Sequence, residues 1–480
     1  MGGKTTHVPY FFERTNKGDI VLKGIFKDKK FLKTLWILAI PIVIQNFIMS
    51  SLNLVDNLMI GSLGEEAIAA VGLANQYFFV FMLCISGITA GASIFMAQYW
   101  GRKDVDKIKT VLGLSIVIGF IASIIFAIAA FFAAESIMKI LSKDPKVVKL
   151  GVEYLRVAAI SYLITNITMA YSAALRSTEQ PRIPMVASII GVLCNAFLNW
   201  VFIFGNLGVE AMGVMGAALA TTIARAVEMA YILIRVYIGK NKISAKIKEL
   251  INFNFEFIKI YFKTSWSVIA NEIIWSVGMM VYSISYARIG TNAVASMQIA
   301  TTLSNLFMVI GIGIAVASSI MIANKIGADE EDVAKDYAGK IGILSPIVGV
   351  VIGIILWIFA PIIVKPFNIG AETTRDTINV LRLIAVFTPI RTYNVVMIVG
   401  VLRGGGDTTF SMLVQAGTIW LYSVPAAFIG ATTFGLSLIS VYFLICVEEF
   451  IKLFFEIYRL KSGKWIKNVI EETEVENLAI

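Results

Sequence analysis

Two stretches of this chain, residues 64–101 and 290–327, repeat one apolar sequence at a constant offset of 226 positions and without a gap. The residues that recur are mostly small or aromatic: Gly64, Ala67, Ala69, Ala74, Phe81, Met82, Gly87, Ile88, Ser93, Ile94, Ala97 and Gly101 in the first copy. Because 58% of the chain is hydrophobic, we interpret the copies as two halves of a membrane protein, a construction common among transporters.

Apolar runs long enough to cross a membrane recur along the whole sequence. A helix needs roughly 20 apolar residues to span the hydrocarbon core. The predicted spans are approximately 34–60, 67–99, 110–134, 150–175, 183–205, 213–236, 259–287, 293–324, 337–364, 378–402, 409–430 and 435–459. The predicted fold class is therefore an all-α membrane protein with twelve transmembrane helices in two pseudo-symmetric six-helix lobes.

The repeat also predicts the domain organisation. A second stretch of similarity, at an offset of 227, pairs Leu175-Arg176 with Leu402-Arg403, so each half contributes six spans in the same order. An even number of spans in each half makes the halves parallel repeats. The predicted segments are a cytoplasmic N-terminal arm at 1–33, an N-terminal lobe at 34–239, a cytoplasmic linker at 240–258, a C-terminal lobe at 259–462 and a cytoplasmic tail at 463–480.

The net charge of +9 is distributed as in a membrane protein rather than as in a nucleic-acid-binding protein. Lys and Arg concentrate in alternate loops, at 23–33, 102–109, 235–263 and 452–467, whereas the turns at 61–66, 205–212 and 430–435 have none. Basic loops face the cytoplasm under the positive-inside rule. We therefore predict a multi-pass protein of the cell membrane with both termini in the cytoplasm. The loop at 141–150 departs from this pattern, because it carries lysines on the predicted outer side.

The spans lack the side chains that many enzymes need. The one histidine, His7, lies in the N-terminal arm, and the three cysteines lie in apolar runs and suggest no disulfide framework. We predict a protein that is not an enzyme and needs no cofactor, and that binds a small amphipathic molecule and the lipid bilayer as a monomer. An integral-membrane transferase is a remote alternative, because such enzymes need clustered acids or a histidine at the membrane surface.

Polar side chains within the spans are the candidate functional residues. Asp56 lies in the first span, where a carboxylate costs roughly 2.5–3.5 kcal/mol to insert, so it indicates ion or proton handling; the alternative is that it reaches the nearby outer surface. Asn195 and Asn199 are four residues apart and share a helix face. Their amide oxygens suit a hard cation beside a carboxylate, or they hydrogen-bond neighbouring spans. Arg225 and Glu228, at i and i+3, are predicted to form a structural ion pair.

The second half of the chain diverges from the first at these polar positions. The repeat aligns Asp56 with Tyr282, and Glu272 with Asn46. Ion handling is therefore expected to be asymmetric and concentrated in the N-terminal lobe. Arg391, in the tenth span, needs a partner, for which Glu272 is the first candidate; contact with an anionic substrate group is the alternative.

Several of these motifs together resemble the multidrug and toxic-compound extrusion (MATE) family of transporters. The stretches that carry the resemblance are 55–64, 174–184, 195–205, 212–218 and 402–407, and the likeness extends over nearly everything from Leu32 to Trp465. The resemblance implies twelve helices in two lobes around a V-shaped cavity. It also implies export of amphipathic, often cationic compounds, driven by inward flow of sodium ions or protons.

The resemblance assigns roles to individual positions of this chain. Asp56 matches the family's acid in the first helix, and Asn195 and Asn199 match its fifth-helix partners in a sodium or proton site. Thr221 matches a nearby hydroxyl, and Glu272 matches the seventh-helix acid that is typical of the NorM-type branch.

The tenth helix departs from the NorM-type pattern. Where those relatives have an acid, this chain has the run Arg391-Thr392-Tyr393-Asn394. A carboxylate is missing, and a cation has been added nearby. We include Arg391, Tyr393 and Asn394, with Glu272 and Asn46, as candidate cavity residues that contact substrate.

The resulting hypothesis is secondary active efflux by alternating access. A coupling cation and the exported molecule would compete for a state organised around Asp56, and cation binding would bend the first helix near Pro41. Na⁺ at Asp56, Asn195 and Asn199 is favoured over H⁺, because proton coupling would need only a carboxyl group and would leave the two amide oxygens without a role. The main alternative function is a flippase or exporter of lipid-linked or anionic amphiphiles, which Arg391 would suit.

Overall fold

The computed structural model describes residues 27–367 and 369–471, without the side chains at 53–55, 57 and 58. Regular structure in this part of the chain is helical, apart from an isolated β-bridge between Gly406 and Ile466. Residues 1–26 of the predicted N-terminal arm, which include His7, lie outside the described residues. The last nine residues of the predicted tail do so as well.

The helices follow the predicted spans closely. Their bounds are α1 Lys29–Gly61, α2 Glu65–Arg102, α3 Val105–Phe132, α4 Ala134–Leu141, α5 Pro145–Ser177, α6 Arg182–Phe204, α7 Gly213–Tyr237, α8 Ile247–Leu250, α9 Phe255–Ile289, α10 Thr291–Gly327, α11 Glu331–Val364, α12 Ala371–Val395, α13 Thr408–Gly417, α14 Val424–Thr432 and α15 Leu438–Lys461. Helices α4 and α8 are short and connect longer helices.

Twelve helical segments of the described chain correspond to the twelve predicted spans. Ten of them are long and apolar enough to cross a membrane. The other two, Pro145–Ser177 and Leu438–Lys461, have sufficient length but carry charged residues along them. The predicted fold class, an all-α membrane protein with two six-helix lobes, is confirmed.

The described chain divides into two compact units of similar size. An N-terminal unit contains residues 44–269, and a C-terminal unit contains residues 27–43 and 270–471. The division passes through α1 and α9, so each of these helices contributes its first part to one unit and its remainder to the other. In α1 the change occurs between Val43 and Ile44, two residues after Pro41. The lobe boundaries given above, and the bending of α1 at Pro41, stay predictions.

The repeat is visible in how each unit packs its interrupted helix. In the N-terminal unit, a Cβ atom added at Gly87 of α2 would lie 2.6 Å from the Ile269 side chain and 2.9 Å from its Cα atom. In the C-terminal unit, a Cβ atom at Gly313 of α10 would meet Val43 in the same way. Gly313 follows Gly87, and Ile269 follows Val43, by the same 226 positions. Small residues of this kind allow close approach of helix backbones.

The substitution Gly87→Ala is expected to destabilise the N-terminal unit by about 1–3 kcal/mol, because the added methyl group overpacks the contact with α9. The matched control is Gly72→Ala in the same helix, where an added Cβ atom has no described neighbour within 4 Å. The measurement is the unfolding free energy in mixed detergent micelles. Equal stability of the two variants would contradict the inferred contact.

Two long helices of the C-terminal unit contain π-helical segments. Helix α12 continues into a π-helix at Val396–Leu402, and a second π-helix at Thr418–Ser423 joins α13 to α14. The π geometry is rare and is found frequently at functional sites. Both segments lie in the unit where the sequence departs from the NorM-type pattern.

Candidate functional site

The structure brings together the four residues that the sequence predicted as a cation site. The Asn199 amide nitrogen donates to Asp56 Oδ1 at 2.6 Å and to Asn195 Oδ1 at 3.1 Å. The Asn195 amide nitrogen in turn donates to Thr221 Oγ1 at 3.2 Å. The hydrogen-bonded chain thus connects α1, α6 and α7 within the N-terminal unit.

The arrangement follows from the spacing of α6. Asn195 and Asn199 lie one turn apart, so both side chains project from the same face, and each residue is only 1% exposed. The side-chain amide oxygen of Asn199, Oδ1, is buried and has no hydrogen-bond partner among the described residues. A buried amide oxygen without a partner is uncommon. It is an available ligand beside the Asp56 carboxylate.

These side chains open onto a cavity of about 560 Å³ inside the N-terminal unit. Drug-sized ligands bind in pockets of roughly 300–1,000 Å³. The cavity is lined by five helices, α1, α2, α5, α6 and α7, and its wall includes Met49, Leu52, Asp56, Asn75, Phe78, Phe79, Met82, Tyr154, Tyr162, Asn195, Asn199, Thr221, Arg225 and Glu228. A mainly apolar wall with a few polar groups is suited to an amphipathic molecule.

The charges in the cavity wall do not balance. Arg225 and Glu228 form the predicted ion pair at 2.9 Å, so that prediction is confirmed. Glu228 also accepts a hydrogen bond from Ser188 at 2.7 Å, and Ser188 accepts one from Gln45. With Arg225 engaged in this way, Asp56 remains as one unbalanced negative charge in the described wall. A negative charge in an apolar wall attracts cations.

Sequence reasoning missed the aromatic wall of the cavity. Phe78 and Tyr162 line the cavity with ring centroids 5.5 Å apart, and the buried Phe81 stacks on Tyr162 at 4.8 Å. Tyr154 directs its hydroxyl group to Asn75 at 3.4 Å. The signal was present, because α2 carries several aromatic residues in and beside the repeated segment. Spacing within one helix does not show which of them share a cavity with residues of α5.

The candidate residues of the C-terminal half have different partners from those predicted. The suggested pairing of Arg391 with Glu272 is wrong: Glu272 pairs with Arg403 at 3.0 Å, and Arg391 pairs with Glu449 at 3.7 Å. Asn394 donates to the same Glu449 carboxylate at 2.7 Å. The partners come from segments that the repeat does not relate to these residues: α15 provides Glu449, and the turn between the first π-helix and α13 provides Arg403.

The two further candidates, Tyr393 and Asn46, belong to different units of the described chain. Tyr393 packs against the hydrophobic core of the C-terminal unit. Asn46 is half-buried in α1 and belongs to the N-terminal unit. Contact of the five proposed residues with substrate stays a prediction.

Comparison with known proteins agrees with the family resemblance that the sequence motifs indicated. The family model MatE matches residues 41–201 and 267–429. A probable multidrug resistance protein of Bacillus subtilis, YoeA, is 24% identical over 84% of this chain and 88% of its own length. A probable multidrug resistance protein NorM of Thermotoga maritima is 24% identical over 90% of this chain and 93% of its own length.

Solved structures of the same architecture also match. A multidrug resistance MATE transporter in an outward-facing conformation superposes with a TM-score of 0.82, at 22% identity, over 94% of this chain and all of the other. A transporter from Pyrococcus furiosus, described as having a binding pocket of reversed polarity, superposes with a TM-score of 0.81 at 21% identity, over 90% of this chain and 96% of the other. At this identity the likeness shows the fold.

Proposed function

This chain belongs to the MatE (MATE) family, and on that premise we propose that it is a secondary active efflux transporter that exports amphipathic, possibly cationic, organic compounds in exchange for Na⁺. Relatives named as probable multidrug resistance proteins support this function. The observation that carries the proposal is the unbalanced Asp56 carboxylate in an apolar cavity of the N-terminal unit.

The amide groups around Asp56 favour sodium as the coupling ion. Hard cations prefer carboxylate, carbonyl and hydroxyl oxygens. Asp56, Asn195 and Thr221 offer such oxygens, and a half-turn of the Asn199 amide would exchange its nitrogen for its partnerless oxygen. The same turn would break its hydrogen bond to Asp56, so the carboxylate and the amide oxygen would face one ion. Coupling to H⁺ is the alternative.

Competition at Asp56 supplies the coupling step. A bound Na⁺ neutralises the carboxylate, so a cationic molecule in the cavity loses the charge that attracts it. When the ion leaves, Asp56 is again available to the molecule, with the aromatic rings of α2 and α5 covering its apolar part. Ion binding favours one face of the transport cycle only to the extent that Na⁺ binds that state more tightly.

Charge distribution and composition support the remaining assignments. The basic loops favour a cell-membrane protein with both termini in the cytoplasm. The transport cycle described here requires one chain, so we propose a monomer that works without a cofactor. Its partners are the lipid bilayer and a small amphipathic molecule.

The test is counterflow in proteoliposomes. The purified protein is reconstituted with a Na⁺ gradient or a pH gradient, and efflux is measured for cationic, neutral and anionic amphiphiles and for a fluorescent anionic phospholipid. Substrate-stimulated Na⁺ entry with a cationic compound is expected. Movement of the phospholipid alone would favour a flippase instead. The pairing of Arg391 with Glu449 weakens that alternative, because the cation is already neutralised.

The variant Asn199→Ala separates the two coupling ions. It removes the proposed amide ligand and leaves the Asp56 carboxyl group, so we expect the Na⁺ concentration for half-maximal efflux to rise about tenfold, the effect of losing roughly 1.4 kcal/mol. Asn292→Ala, at an exposed asparagine of α10, is the control. An unchanged Na⁺ dependence, together with efflux driven by a pH gradient, would indicate proton coupling.

A further inference from the structure

Five ionisable side chains of the C-terminal unit lie together outside the set of residues that line the cavity, three of them buried and two partly exposed. Helix α15 provides Glu448, Glu449, Lys452 and Glu456, and α12 provides Arg391. Glu448 and Glu456 are 4% and 0% exposed, and Lys452 is 9% exposed. Residues 448, 452 and 456 are four apart and therefore lie on one face of α15. No family motif quoted above includes them.

Glu448 has the richest set of partners in this cluster. It forms an ion pair with Lys452 one turn further along the helix. It also accepts hydrogen bonds from Ser423 at 2.5 Å, Tyr282 at 3.1 Å and Thr418 at 3.3 Å. Thr418 and Ser423 are the first and last residues of the second π-helix. The rare backbone geometry thus places two hydroxyl groups on one carboxylate.

Glu456 is the opposite case. It is fully buried, and neither of its carboxylate oxygens has a hydrogen-bond partner among the described residues. Lys452 lies one turn before it but is paired with Glu448. The next cation of the helix, Arg459, is bound to Asp407 at 2.6 Å. An ionised carboxylate in such a position would be strongly unfavourable.

The charges of the cluster are also unequal. The cluster contains three carboxylates and two cations. Glu449 pairs with Arg391 and also accepts a hydrogen bond from the neutral side chain of Asn394. Within these five side chains, one further positive charge is needed for neutrality. Tyr442 contacts Arg391 and supplies no cation. Arg459 and Lys467 are both bound to Asp407, each at 2.6 Å. Because Lys452 already adjoins the site, a proton fits there better than a metal ion.

We propose that Glu456 is a proton-binding site of the C-terminal unit and that Lys452 exchanges between Glu448 and Glu456 as the proton leaves and returns. In the described state Glu456 is a neutral carboxylic acid. When its O–H bond breaks, the proton passes to a water molecule and a carboxylate remains. The Lys452 ammonium group then pairs with Glu456. Hydrogen bonds from Ser423, Tyr282 and Thr418 continue to stabilise the Glu448 carboxylate.

This site goes beyond the proposed export function, because it would bind a proton whatever the transported molecule is. It places a second titrating centre in the lobe that lacks the tenth-helix acid. Loss of the proton would also affect the π-helix at Thr418–Ser423. When Lys452 leaves Glu448, the hydroxyl groups of Thr418 and Ser423 become more important for stabilising the Glu448 carboxylate.

Infrared difference spectroscopy on the purified full chain tests the proposal. Saturating Na⁺ is present, and the signal is the carbonyl stretch of a protonated carboxylic acid. Glu456→Gln should remove one such band, and the control Glu331→Gln, at an exposed residue of α11, should retain it. If Glu456→Gln does not fold, Glu456→Asp should shift the frequency of the band. An unchanged band in either Glu456 variant overturns the proposal.

A second variant tests the exchange of Lys452. Lys452→Gln removes the cation that would pair with the ionised Glu456, so the protonated Glu456 band should persist to higher pH than in the unsubstituted protein. A band that disappears over the same pH range in both proteins would exclude the proposed exchange of Lys452. The export hypothesis and the proton-site proposal can fail independently. Efflux retained in Asp56→Asn would contradict the export hypothesis, whereas the Glu456 band is expected in that variant in either case.

Discussion

Replacing Asp56 with asparagine should lower cation-driven efflux by about tenfold or more, while the protein still folds and enters the membrane. The substitution keeps the shape of the side chain and removes the one unbalanced negative charge in the described wall of the cavity. A hydrogen bond or contact that involves a charged group is worth about 1.5–3 kcal/mol, which corresponds to at least a tenfold change in binding. The measurement is the initial rate of efflux under a Na⁺ gradient.

The control for this variant is Asp332→Asn. The Asp332 side chain is 98% exposed and pairs with Lys335 at the start of α11, so the same chemical change should leave efflux unaltered. Efflux that persists in Asp56→Asn under both Na⁺ and pH gradients would contradict the proposed role. If Asp56→Asn loses efflux under the Na⁺ gradient but keeps it under the pH gradient, proton-driven efflux depends on another group.

Three residues of the candidate N-terminal site were predictable from the chain itself, whereas Thr221 followed only from the family resemblance. Asn195 and Asn199 share a face by helix geometry alone, and Asp56 is conspicuous as a carboxylate in an apolar run. The repeat predicted the architecture as well, and the structure adds equivalent contacts at the repeated positions Gly87 and Gly313. Each of these inferences depends on one helix, or on the comparison of two aligned helices.

The pairings in the C-terminal unit were not predictable in the same way. Which acid meets Arg391 depends on how α12 and α15 are rotated about their axes, and packing of whole helices sets those rotations. Glu448 and Lys452, four residues apart, have the spacing of an ordinary helix ion pair. Nothing in that spacing shows that Glu456, one turn further, is left without a partner.

The ion pair between Glu272 and Arg403 should contribute strongly to stability, although the sequence assigned Glu272 to another partner. The Arg403 side chain is 10% exposed and that of Glu272 is 26% exposed, and the two atoms of the pair are 3.0 Å apart. Removing one member of a buried pair costs about 3–5 kcal/mol, because the other charge is left unpaired in an apolar environment. Since Glu272 keeps some access to solvent, we expect about 3 kcal/mol for Arg403→Met.

The double variant Glu272→Gln with Arg403→Met distinguishes an ion pair from a role of Arg403 alone. When both charges are absent, no unpaired charge remains, so the double variant should recover much of the stability that Arg403→Met loses. Lys335→Met removes a cation from an exposed pair and should change stability by less than about 1 kcal/mol. Unfolding free energies in mixed micelles provide the comparison. If the double variant is as unstable as Arg403→Met, then Arg403 stabilises the C-terminal unit through contacts other than Glu272.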